Sequence, residues 1–163
     1  MTATPAAHRH NGRMQISARA DYAVRAMIAL AAAGGTVKAE VLAEEHALPR
    51  KFLEAILADL RRSGLVASQR GPDGGHRLAR AADQISVADI MRAVEGPLAS
   101  VRGEAPEDVE YPGPAKDLQD IWIAVRAAVR GVVEHVTLAD LASGNLPEEI
   151  RRLGEDPDAR IRR

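Results

Sequence analysis

The chain has 163 residues, of which 46% are hydrophobic and only 2% aromatic, and its formal net charge is −1 at pH 7. This length suits one domain with an appendage, and the small apolar side chains favour closely packed helices. Because there is no cysteine, disulfides, cysteine-ligated zinc and an all-thiolate iron–sulfur cluster are excluded. The apolar run that contains Met27 to Ala33 is far too short for a membrane span, and we expect a cytoplasmic protein.

Charge is distributed unevenly along the chain. Residues 14–80 carry ten Lys or Arg against seven acids, whereas residues 81–163 carry ten against sixteen. Local charge governs attraction to phosphate, so the more N-terminal of these two parts is the one expected to approach nucleic acid. Ordinary scatter of surface charge is the alternative explanation.

The first helix is predicted to follow a polar arm. Residues 1–13 show no apolar periodicity and carry two arginines, which is typical of a disordered segment. Ser17 is placed as an N-cap, and the helix runs to about Ala33, where Gly34 and Gly35 stop it. Its apolar face has helical spacing and comprises Tyr22, Ala23, Ala26, Met27 and Leu30.

Two further helices are predicted before residue 64. The shorter spans roughly Lys38 to His46, with Val41 and Leu42 facing inward and Ala39 as a further inward candidate. The longer covers 49–63, with Pro49 at its first position and Gly64 as its C-terminal cap. Its apolar residues share one face and bury together: Leu53, Ile56, Leu57 and Leu60. Its charged residues remain outside: Arg50, Lys51, Glu54, Arg61 and Arg62.

Residues 65–78 predict a β-hairpin with a cation at its base. Two short apolar strands flank a tip that begins at Arg70 and continues as Gly71-Pro-Asp-Gly74-Gly75, a composition that sets a tight turn. A helix followed directly by a basic, glycine-tipped hairpin is typical of a winged helix-turn-helix. In that fold the helix enters the DNA major groove and the wing reaches the neighbouring minor groove.

The C-terminal half contains a capped helix, a loop and a long amphipathic helix. Ser86-Val-Ala-Asp89 predicts a helix over Val87 to Val94, and the proline- and acid-rich stretch 97–117 predicts a loop whose length is typical of functional or mobile segments. From residue 118, apolar residues recur at spacings of 4 and 3, close to three heptads. This seam comprises Leu118, Ile121, Trp122, Val125, Val129, Val132 and Val136.

The seam is expected to form a dimer contact, with packing against the body of the same chain as the alternative. One DNA-binding unit of this size has only a small contact surface. A symmetric dimer compensates for this by binding two half-sites. Thr137 and Asp140 are expected to cap a short final helix that ends near Gly144. The charged tail 148–163 is expected to fray.

The start of the 49–63 helix carries the side chains expected to read bases. Arg50 or Lys51 could donate to guanine and Glu54 could accept from cytosine, with phosphate contact and intrahelical pairing as the alternatives. Arg70 suits a narrow minor groove. The remaining candidate DNA contacts are phosphate-binding arginines and tip glycines: Arg61, Arg62, Arg77, Gly71, Gly74 and Gly75.

Enzymatic chemistry finds little support in the sequence. Ser68, Asp73 and His76 lie on an exposed hairpin that cannot hold a triad rigidly, and the tip lacks the Lys-Ser/Thr ending of a phosphate-binding loop. The histidines form no helical His-x-x-x-His pair. The acids of 104–110 are better explained as a solvated loop than as a cation site. We therefore predict no catalytic residue, metal site or cofactor.

Four segments together resemble the Rrf2 family of bacterial regulators, whose types include IscR, NsrR and CymR. They are Met14-Gln-Ile-Ser-Ala-Arg-Ala-Asp-Tyr-Ala-Val, Phe52-Leu-Glu-Ala-Ile-Leu, Gly64-Leu-Val-Ala-Ser-Gln-Arg-Gly-Pro-Asp-Gly-Gly-His and Ile85-Ser-Val-Ala-Asp-Ile. The resemblance covers about residues 14–146. It implies a dimeric winged-helix transcription factor, usually a repressor, in which 49–63 is the recognition helix. It also implies that Glu54 contacts bases and that Arg70 is the wing arginine.

The chain departs from the cluster-binding members of that family. They place three cysteines in the loop before the dimer helix, where this chain has Val101 followed by acids and prolines. Gln119 stands near the place of the histidine ligand of the IscR type, and Asp21 at that of the carboxylate ligand of the NsrR type. Without thiolate partners, Asp21 is interpreted as a surface or inter-subunit polar residue. The resemblance then implies a member that responds to another protein or to an unidentified signal.

We therefore predict a mainly α fold with a small β-hairpin wing, a winged helix-turn-helix with a long C-terminal dimerisation helix. The expected division is an arm at 1–13, a DNA-binding domain at 14–96, a loop at 97–117, a dimerisation unit at 118–147 and a tail at 148–163. The predicted partners are double-stranded DNA, a second copy of the chain and a small-molecule or protein effector, without a membrane. The alternatives are a protein-interaction module of the same fold and a carboxylate/histidine metal sensor.

Overall fold

The computed structural model describes residues 15–161, and the arm expected at 1–13 lies outside them. This part of the chain forms seven α-helices and one antiparallel hairpin, which confirms the mainly α class with a small wing. The elements are α1 (Ala18–Ala33), α2 (Ala39–Glu45), α3 (Arg50–Arg62), β1 (Val66–Gln69), β2 (Gly75–Leu78), α4 (Val87–Glu95), α5 (Leu118–Val133), α6 (Leu138–Ser143) and α7 (Glu148–Glu155). Within 15–161 no helix is both long and apolar enough to cross a membrane.

Helix α1 begins and ends where its capping residues predict. The Ser17 hydroxyl accepts a hydrogen bond from the backbone N–H of Ala20 at 3.0 Å, and Gly34 closes the helix at a φ of 65°, a left-handed conformation that glycine adopts without strain. The inner face of the helix is built mostly from alanine, which allows close approach of its neighbours. Its buried side chains are Ala20, Ala23, Ala26, Met27, Ala29 and Leu30.

Helices α2 and α3 form a helix-turn-helix with two departures from the sequence-based expectation. Leu42 is buried as predicted, but Val41 is 37% exposed, because α2 is only two turns long and contacts the body through the side that carries Leu42. Pro49 is the N-cap of α3 rather than its first residue, a shift of one position. The predicted apolar face of α3 is confirmed: Leu53, Ile56, Leu57 and Leu60 are all buried.

The core of the chain gathers α1, α3, α4 and the hairpin around a single cluster, and α6 joins it. Leu138 of α6 is fully buried in that cluster, and the backbone N–H of Leu138 donates to the carbonyl of Ile85 at 2.9 Å. A capping box between Thr137 and Asp140 starts α6. In this structure α6 packs against the core cluster and α1, whereas the sequence-based division groups it with α5 in 118–147.

The stretch 97–117 is an ordered connection rather than an irregular loop throughout. It contains two 3-10 turns, Pro106–Asp108 and Gly113–Ala115. Pro106 and Val109 are buried, because the first of these turns packs against α5. The connection therefore acts as a fixed support for the helix that follows it.

Two expectations at the C-terminal end were wrong. Val136 is not part of the α5 seam, since the helix ends at Val133. Val136 is buried, and its carbonyl accepts a hydrogen bond from the N–H of Val87 at 2.9 Å.

The tail does not simply fray, because α7 extends over Glu148–Glu155. Acids in its first turn and Glu–Arg pairs one turn apart support that helix: Glu148 faces both Arg151 and Arg152 at 3.3 Å.

Candidate nucleic-acid interface

The turn between α2 and α3 presents the start of α3 to solvent. Ala47 adopts a left-handed φ of 50°, and the buried Leu48 donates its backbone N–H to the carbonyl of Ala43 at 2.9 Å. These contacts fix the angle at which the second helix leaves the turn. In helix-turn-helix proteins the N-terminal residues of the second helix reach the base edges, so the first turns of α3 are the candidate reading surface.

Arg50 is held between two carboxylates at that surface. Its Nη2 lies 2.8 Å from Oε1 of Glu40 on α2, and its Nε lies 3.5 Å from Oε1 of Glu54. The intrahelical pairing considered as an alternative for Glu54 is therefore present in the free protein. All three side chains are more than half exposed, and exposed pairs of this kind contribute at most about 1 kcal/mol. DNA could therefore displace them.

Lys51 and Phe52 are exposed beside this ion-pair cluster. Lys51 has no ion-pair partner in the part of the chain that the structure describes. Phe52 is 57% exposed and its ring centroid lies 6.4 Å from that of Tyr22 on α1. The sequence reasoning missed Phe52 as a candidate contact. The available signal was its position off the Leu53–Leu60 stripe, which leaves a large apolar group facing solvent, where it could meet a thymine methyl group.

The hairpin forms the predicted wing, and its glycines are required by its geometry. β1 and β2 pair from Val66 with Leu78 to Gln69 with Gly75. A Cβ on Gly74 would lie 2.4 Å from the carbonyl oxygen of Gln69, and one on Gly75 would lie 2.4 Å from that of Val37. Real Cβ atoms do not approach backbone so closely. Steric need inside the protein therefore explains these two glycines without any DNA contact, whereas a Cβ at Gly71 would meet nothing within 4 Å.

A short third segment ties the wing to the loop before α2. Val37 and His76 exchange backbone hydrogen bonds of 2.8 and 2.7 Å, which adds a single bridge beside β2. The sequence reasoning missed this bridge because one paired residue leaves no periodic pattern. The bridge fixes the position of the wing relative to the helix-turn-helix.

His76 is half-buried at the junction of α3 and the wing, and its Nδ1 has no hydrogen-bond partner among the described residues. Burial lowers the pKa of this imidazole below its ordinary value, the charge of Arg61 lowers it further, and the charge of Glu40 acts in the opposite direction. His76 is therefore neutral at pH 7. It serves as a packing group between the two reading elements.

The predicted cations divide between the wing and the opposite side of α3. Arg70 is exposed at the wing, with no ion-pair partner in residues 15–161. Arg61 approaches the wing, with Nη1 3.4 Å from Oγ of Ser68, and the exposed Arg77 lies on β2. Arg62 instead pairs with Asp59 at 2.7 Å. Arg61 thus lies beside the wing that carries Arg70 and Arg77, whereas Arg62 is held by Asp59, which also pairs with Arg19 of α1.

Asp59 links α3 to α1 through an ion pair with Arg19. Burial by itself would raise the pKa of Asp59, but hydrogen bonds and charge from Arg19 and Arg62 outweigh it and hold the pKa below its ordinary value. The carboxylate is only 18% exposed. This pair therefore adds a polar contact to the apolar packing that holds the candidate reading helix on α1.

Helix α5 has an apolar stripe that its own chain leaves half covered. No residue of α5 is fully buried, and Ile121 is 55% exposed. The predicted seam residues within the helix share one side of it: Leu118, Ile121, Trp122, Val125, Val129 and Val132. Polar contacts hold the edge of α5 beside this stripe on the preceding connection. Gln119 Nε2 donates to the carbonyls of Glu107 and Val109 at 3.0 Å each.

Ion pairs complete the attachment of α5 to the body. Arg126 Nη1 lies 2.6 Å from Oε2 of Glu107, and Glu134 pairs with both Arg92 of α4 and Arg130. Hydrogen bonds from Arg126 lower the pKa of Glu107, and those from Arg92 and Arg130 lower the pKa of Glu134. The helix is therefore anchored by charged edges while its apolar side remains available.

Comparison with known proteins agrees with this geometry. Residues 16–144 match the Rrf2 family, described as iron-dependent transcriptional regulators. The chain belongs to the Rrf2 family of DNA-binding helix-turn-helix transcription regulators. It is 49% identical over 145 residues to a candidate HTH-type transcriptional regulator of Mycobacterium tuberculosis, covering 88% of this chain and 90% of that protein. It is 39% identical to the HTH-type regulator CymR of Bacillus subtilis, covering 80% and 91% of the two chains.

Solved structures of Rrf2 proteins share the fold. The structure of CymR, the global cysteine regulator of Bacillus subtilis, has a TM-score of 0.68 at 36% identity and covers 81% of this chain and 98% of its own. That of IscR from T. potens has a TM-score of 0.64 at 29% identity, covering 92% and 93%. The winged-helix assignment made from the sequence is thereby confirmed.

The donor set of this Rrf2 chain does not fit the iron that the family description implies. The sequence contains no cysteine, and within residues 15–161 no group of three or more His, Cys, Asp or Glu side chains could hold a metal ion. Asp21 lies 3.6 Å from Arg25 in an ion pair, and Gln119 is occupied by two backbone carbonyls. Both positions of the resemblance are thus engaged in contacts within the protein, and the described residues gather no set of carboxylate and histidine side chains that could hold a metal ion.

Proposed function

We propose that this Rrf2 protein is a homodimer that binds a pseudo-palindromic operator in a sequence-specific manner, represses transcription and uses no iron–sulfur cluster. The observation that carries the proposal is the combination of a wholly exposed start of α3 with a rigid, basic wing beside it. Each is a known type of DNA-contacting element. Their fixed relation through the Val37–His76 bridge supports simultaneous contact with adjacent grooves.

Within one half-site, the first turns of α3 enter the major groove and the wing follows the backbone into the minor groove. Lys51 donates to guanine O6 and N7, and Arg50 and Glu54 exchange their mutual ion pair for base or phosphate contacts. Phe52 adds an apolar contact. Arg70 enters the minor groove, Arg61 and Arg77 contact phosphates, and Arg62 contributes least because Asp59 neutralises it.

Two copies are needed because one head of this size supplies too few contacts for a tight, specific complex. The exposed stripe of α5 is a suitable surface for a symmetric pair, since the same residues from each copy can meet across a two-fold axis. Two heads then address half-sites about one helical turn apart. An operator occupied in this way excludes RNA polymerase from an overlapping promoter, which is sufficient for repression.

The direct test is footprinting and gel shift of the purified protein on DNA from its own upstream region. We expect a protected site with two related halves, and an affinity that falls steeply with salt, by about 0.9 log unit per phosphate contact per log unit of salt. Transcription in vitro from that promoter should fall as the protein is added. Failure to bind any genomic fragment at low salt would overturn the proposal, and stimulated transcription would overturn the repressor assignment.

A further inference from the structure

Glu40 is the residue of α2 that meets the candidate reading surface of α3. Nη2 of Arg50 donates a hydrogen bond of 2.8 Å to Oε1 of Glu40, whereas Nε of the same arginine lies 3.5 Å from Oε1 of Glu54. Only the shorter of these distances is that of a normal hydrogen bond. Arg50 is therefore held mainly by the neighbouring helix, and only loosely by the carboxylate one turn along its own helix.

Two anchors fix the backbone that carries Glu40. The Val37–His76 bridge precedes it and ties that backbone to the wing. Leu42 follows it in the same helix and is buried in the core cluster. The Glu40 carboxylate is thus attached to the wing on one side and to the core on the other, and it stays beside Arg50 when the surface of α3 meets DNA.

Glu40 and Glu54 compete for one guanidinium group. A close pair with Arg50 would occupy the acceptor oxygen that Glu54 needs for the amino group of a cytosine. The hydrogen bond to Glu40 instead leaves Glu54 with the long contact, which is the easier one to break. An arginine has five N–H donors, so Arg50 can retain Glu40 while its other N–H groups turn towards DNA.

We propose that Glu40 is a positioning residue for base recognition: it retains Arg50 when DNA binds, so that Glu54 is free to accept a hydrogen bond from a base. This inference rests on the proposed function, because it concerns how the reading helix distinguishes one base pair from another. Without Glu40, Arg50 pairs closely with Glu54. That pair must break at the base pair that Glu54 reads but can persist at any other, so the loss of Glu40 penalises the correct sequence alone.

The size of the effect follows from the exposure of the three side chains. Each of them is more than half exposed, and exposed ion pairs contribute at most about fivefold to an equilibrium constant. Removal of an acid beside DNA also raises the affinity for every duplex, because the phosphates carry negative charge. This second effect is independent of sequence and cancels in the ratio of two affinities.

The experiment measures such ratios on duplexes that contain the footprinted operator with each base pair of a half-site changed in turn. Glu54→Ala identifies the base pair that Glu54 reads, since discrimination is lost there. At that base pair Glu40→Ala should lower the affinity ratio about three- to fivefold and leave the ratios at other positions unchanged. Glu45→Ala is the matched control, because Glu45 is an exposed acid of α2 without an ion-pair partner in residues 15–161; it should retain every ratio.

The route through Arg50 is tested in an Arg50→Met background. There Glu40→Ala should have no further effect on the ratio, because no guanidinium group is left to release. The imidazole of His76 does not confound the comparison. Burial and then the charge of Arg61 lower the pKa of His76, whereas Glu40 raises it, so removal of Glu40 leaves the imidazole neutral at pH 7.

The pairing itself can be measured without DNA by NMR. The Nε–Hε signal of Arg50 is assigned by its absence from Arg50→Lys. It should move in Glu40→Ala and in Glu54→Ala, and it should stay in place in Glu45→Ala. An Arg50 signal that does not respond to Glu40→Ala would overturn the proposal whatever the behaviour on DNA.

The outcomes on DNA separate this inference from the proposed function. Failure of the parent to bind any genomic fragment would overturn both. If the parent binds and discriminates, three results would overturn the role of Glu40 alone. They are an unchanged ratio in Glu40→Ala, an equal fall at every base pair, and a fall that persists in Arg50→Met. A fall confined to the base pair read by Glu54 and abolished by Arg50→Met is the result expected.

Discussion

Helices α3 and α5 both carry a continuous apolar stripe, but the chain uses the two stripes differently. Leu53, Ile56, Leu57 and Leu60 of α3 are all at most 2% exposed, so their burial is complete within one protomer. No side chain of α5 is buried to that degree. The polar side of α3 faces outward as the candidate DNA surface, whereas on α5 much of the apolar side remains accessible.

Because of this difference, the folding stability of one protomer and its dimerisation depend on different helices. Burial of a leucine or isoleucine contributes about 1.5 to 3 kcal/mol, so the α3 stripe stabilises the head without help from a second chain. The α5 stripe can contribute a comparable amount only when something covers it. Variants in the two helices should therefore produce different defects: loss of folding for the α3 core, and loss of association with folding retained for the α5 stripe.

The largest effect is expected from Ile121→Glu in the α5 stripe. Ile121 is 55% exposed in the protomer, so the substitution costs the single chain little, whereas a carboxylate buried at a dimer contact costs several kcal/mol. We expect dimer dissociation and a loss of operator affinity of about 100-fold or more. Sedimentation velocity and gel shift measure the two quantities.

Ala127→Glu provides the matched control for Ile121→Glu. Ala127 is exposed and lies on the opposite side of α5 from the stripe, at the 100° per residue of an α-helix. It should leave the dimer and the DNA affinity unchanged. If both glutamates dissociate the protein equally, or if neither does, the stripe is not the dimer contact.

The second effect concerns the helix-turn-helix and the wing of a single protomer. Gly75→Ala would place a Cβ 2.4 Å from the carbonyl oxygen of Val37, so the bridge between wing and helix-turn-helix must break or shift. We expect a stability loss of about 3 kcal/mol and loss of specific DNA binding, with dimerisation intact. Gly71 has a positive φ of 107° but open space around it. Gly71→Ala should therefore lower the free energy of unfolding by about 1 kcal/mol. Equal urea midpoints for the two variants would contradict the wing geometry.

The third effect isolates a DNA contact from both folding and assembly. Arg70→Ala should weaken operator binding by about 10- to 100-fold and reduce the salt slope by about 1, with thermal stability and dimerisation unchanged. Lys116→Ala removes an exposed cation on the C-terminal side of the chain and should leave binding unaltered. A lowered melting temperature for Arg70→Ala would show that this arginine supports the hairpin instead.

The smallest effect is expected from the polar contacts that hold α3 against α1. Asp59→Asn weakens the contacts to Arg19 and Arg62 and should cost about 1 kcal/mol of folding free energy at pH 7. Because the folded pKa of Asp59 is lowered, its contribution is present above the ordinary value of 3.8 and is lost as pH falls through the lower folded pKa. Urea unfolding from pH 7 to 3 should show the two proteins converging at the acid end.

Asp83→Asn is the control for that pH series, because Asp83 is an exposed carboxylate in the short turn before α4. It should follow the parent at every pH. A gap between the parent and Asp59→Asn that persists at low pH would mean that packing of the asparagine, rather than loss of the charge, causes the difference.

Short-range sequence patterns were sufficient to predict most of the helix-turn-helix and the wing. Ser17, Ser86 and Thr137 cap the helices that follow them, because an N-cap acts within one turn of chain. The buried face of α3 could also be predicted, since Leu53, Ile56, Leu57 and Leu60 recur at helical spacing and all face one core. The glycines of the hairpin tip likewise indicated the turn that β1 and β2 enclose.

What could not be predicted depends on contacts that are distant in the sequence. Val37 pairs with His76 through one bridge, and Arg50 is held by Glu40 from another helix; neither leaves a repeat in the chain. Val136 continued the heptad spacing, yet α5 ends before it, and the Val136 carbonyl accepts a hydrogen bond from the backbone N–H of Val87 in α4.

The central claim is that α5 joins two reading heads that act on one operator. Its most direct test is sedimentation equilibrium of the protein with a fluorescent duplex that contains the footprinted site, compared between the parent and Ile121→Glu. We expect two protomers per duplex for the parent and, at the same concentrations, little bound Ile121→Glu. A single protomer per duplex with full affinity, or undiminished binding by monomeric Ile121→Glu, would contradict it.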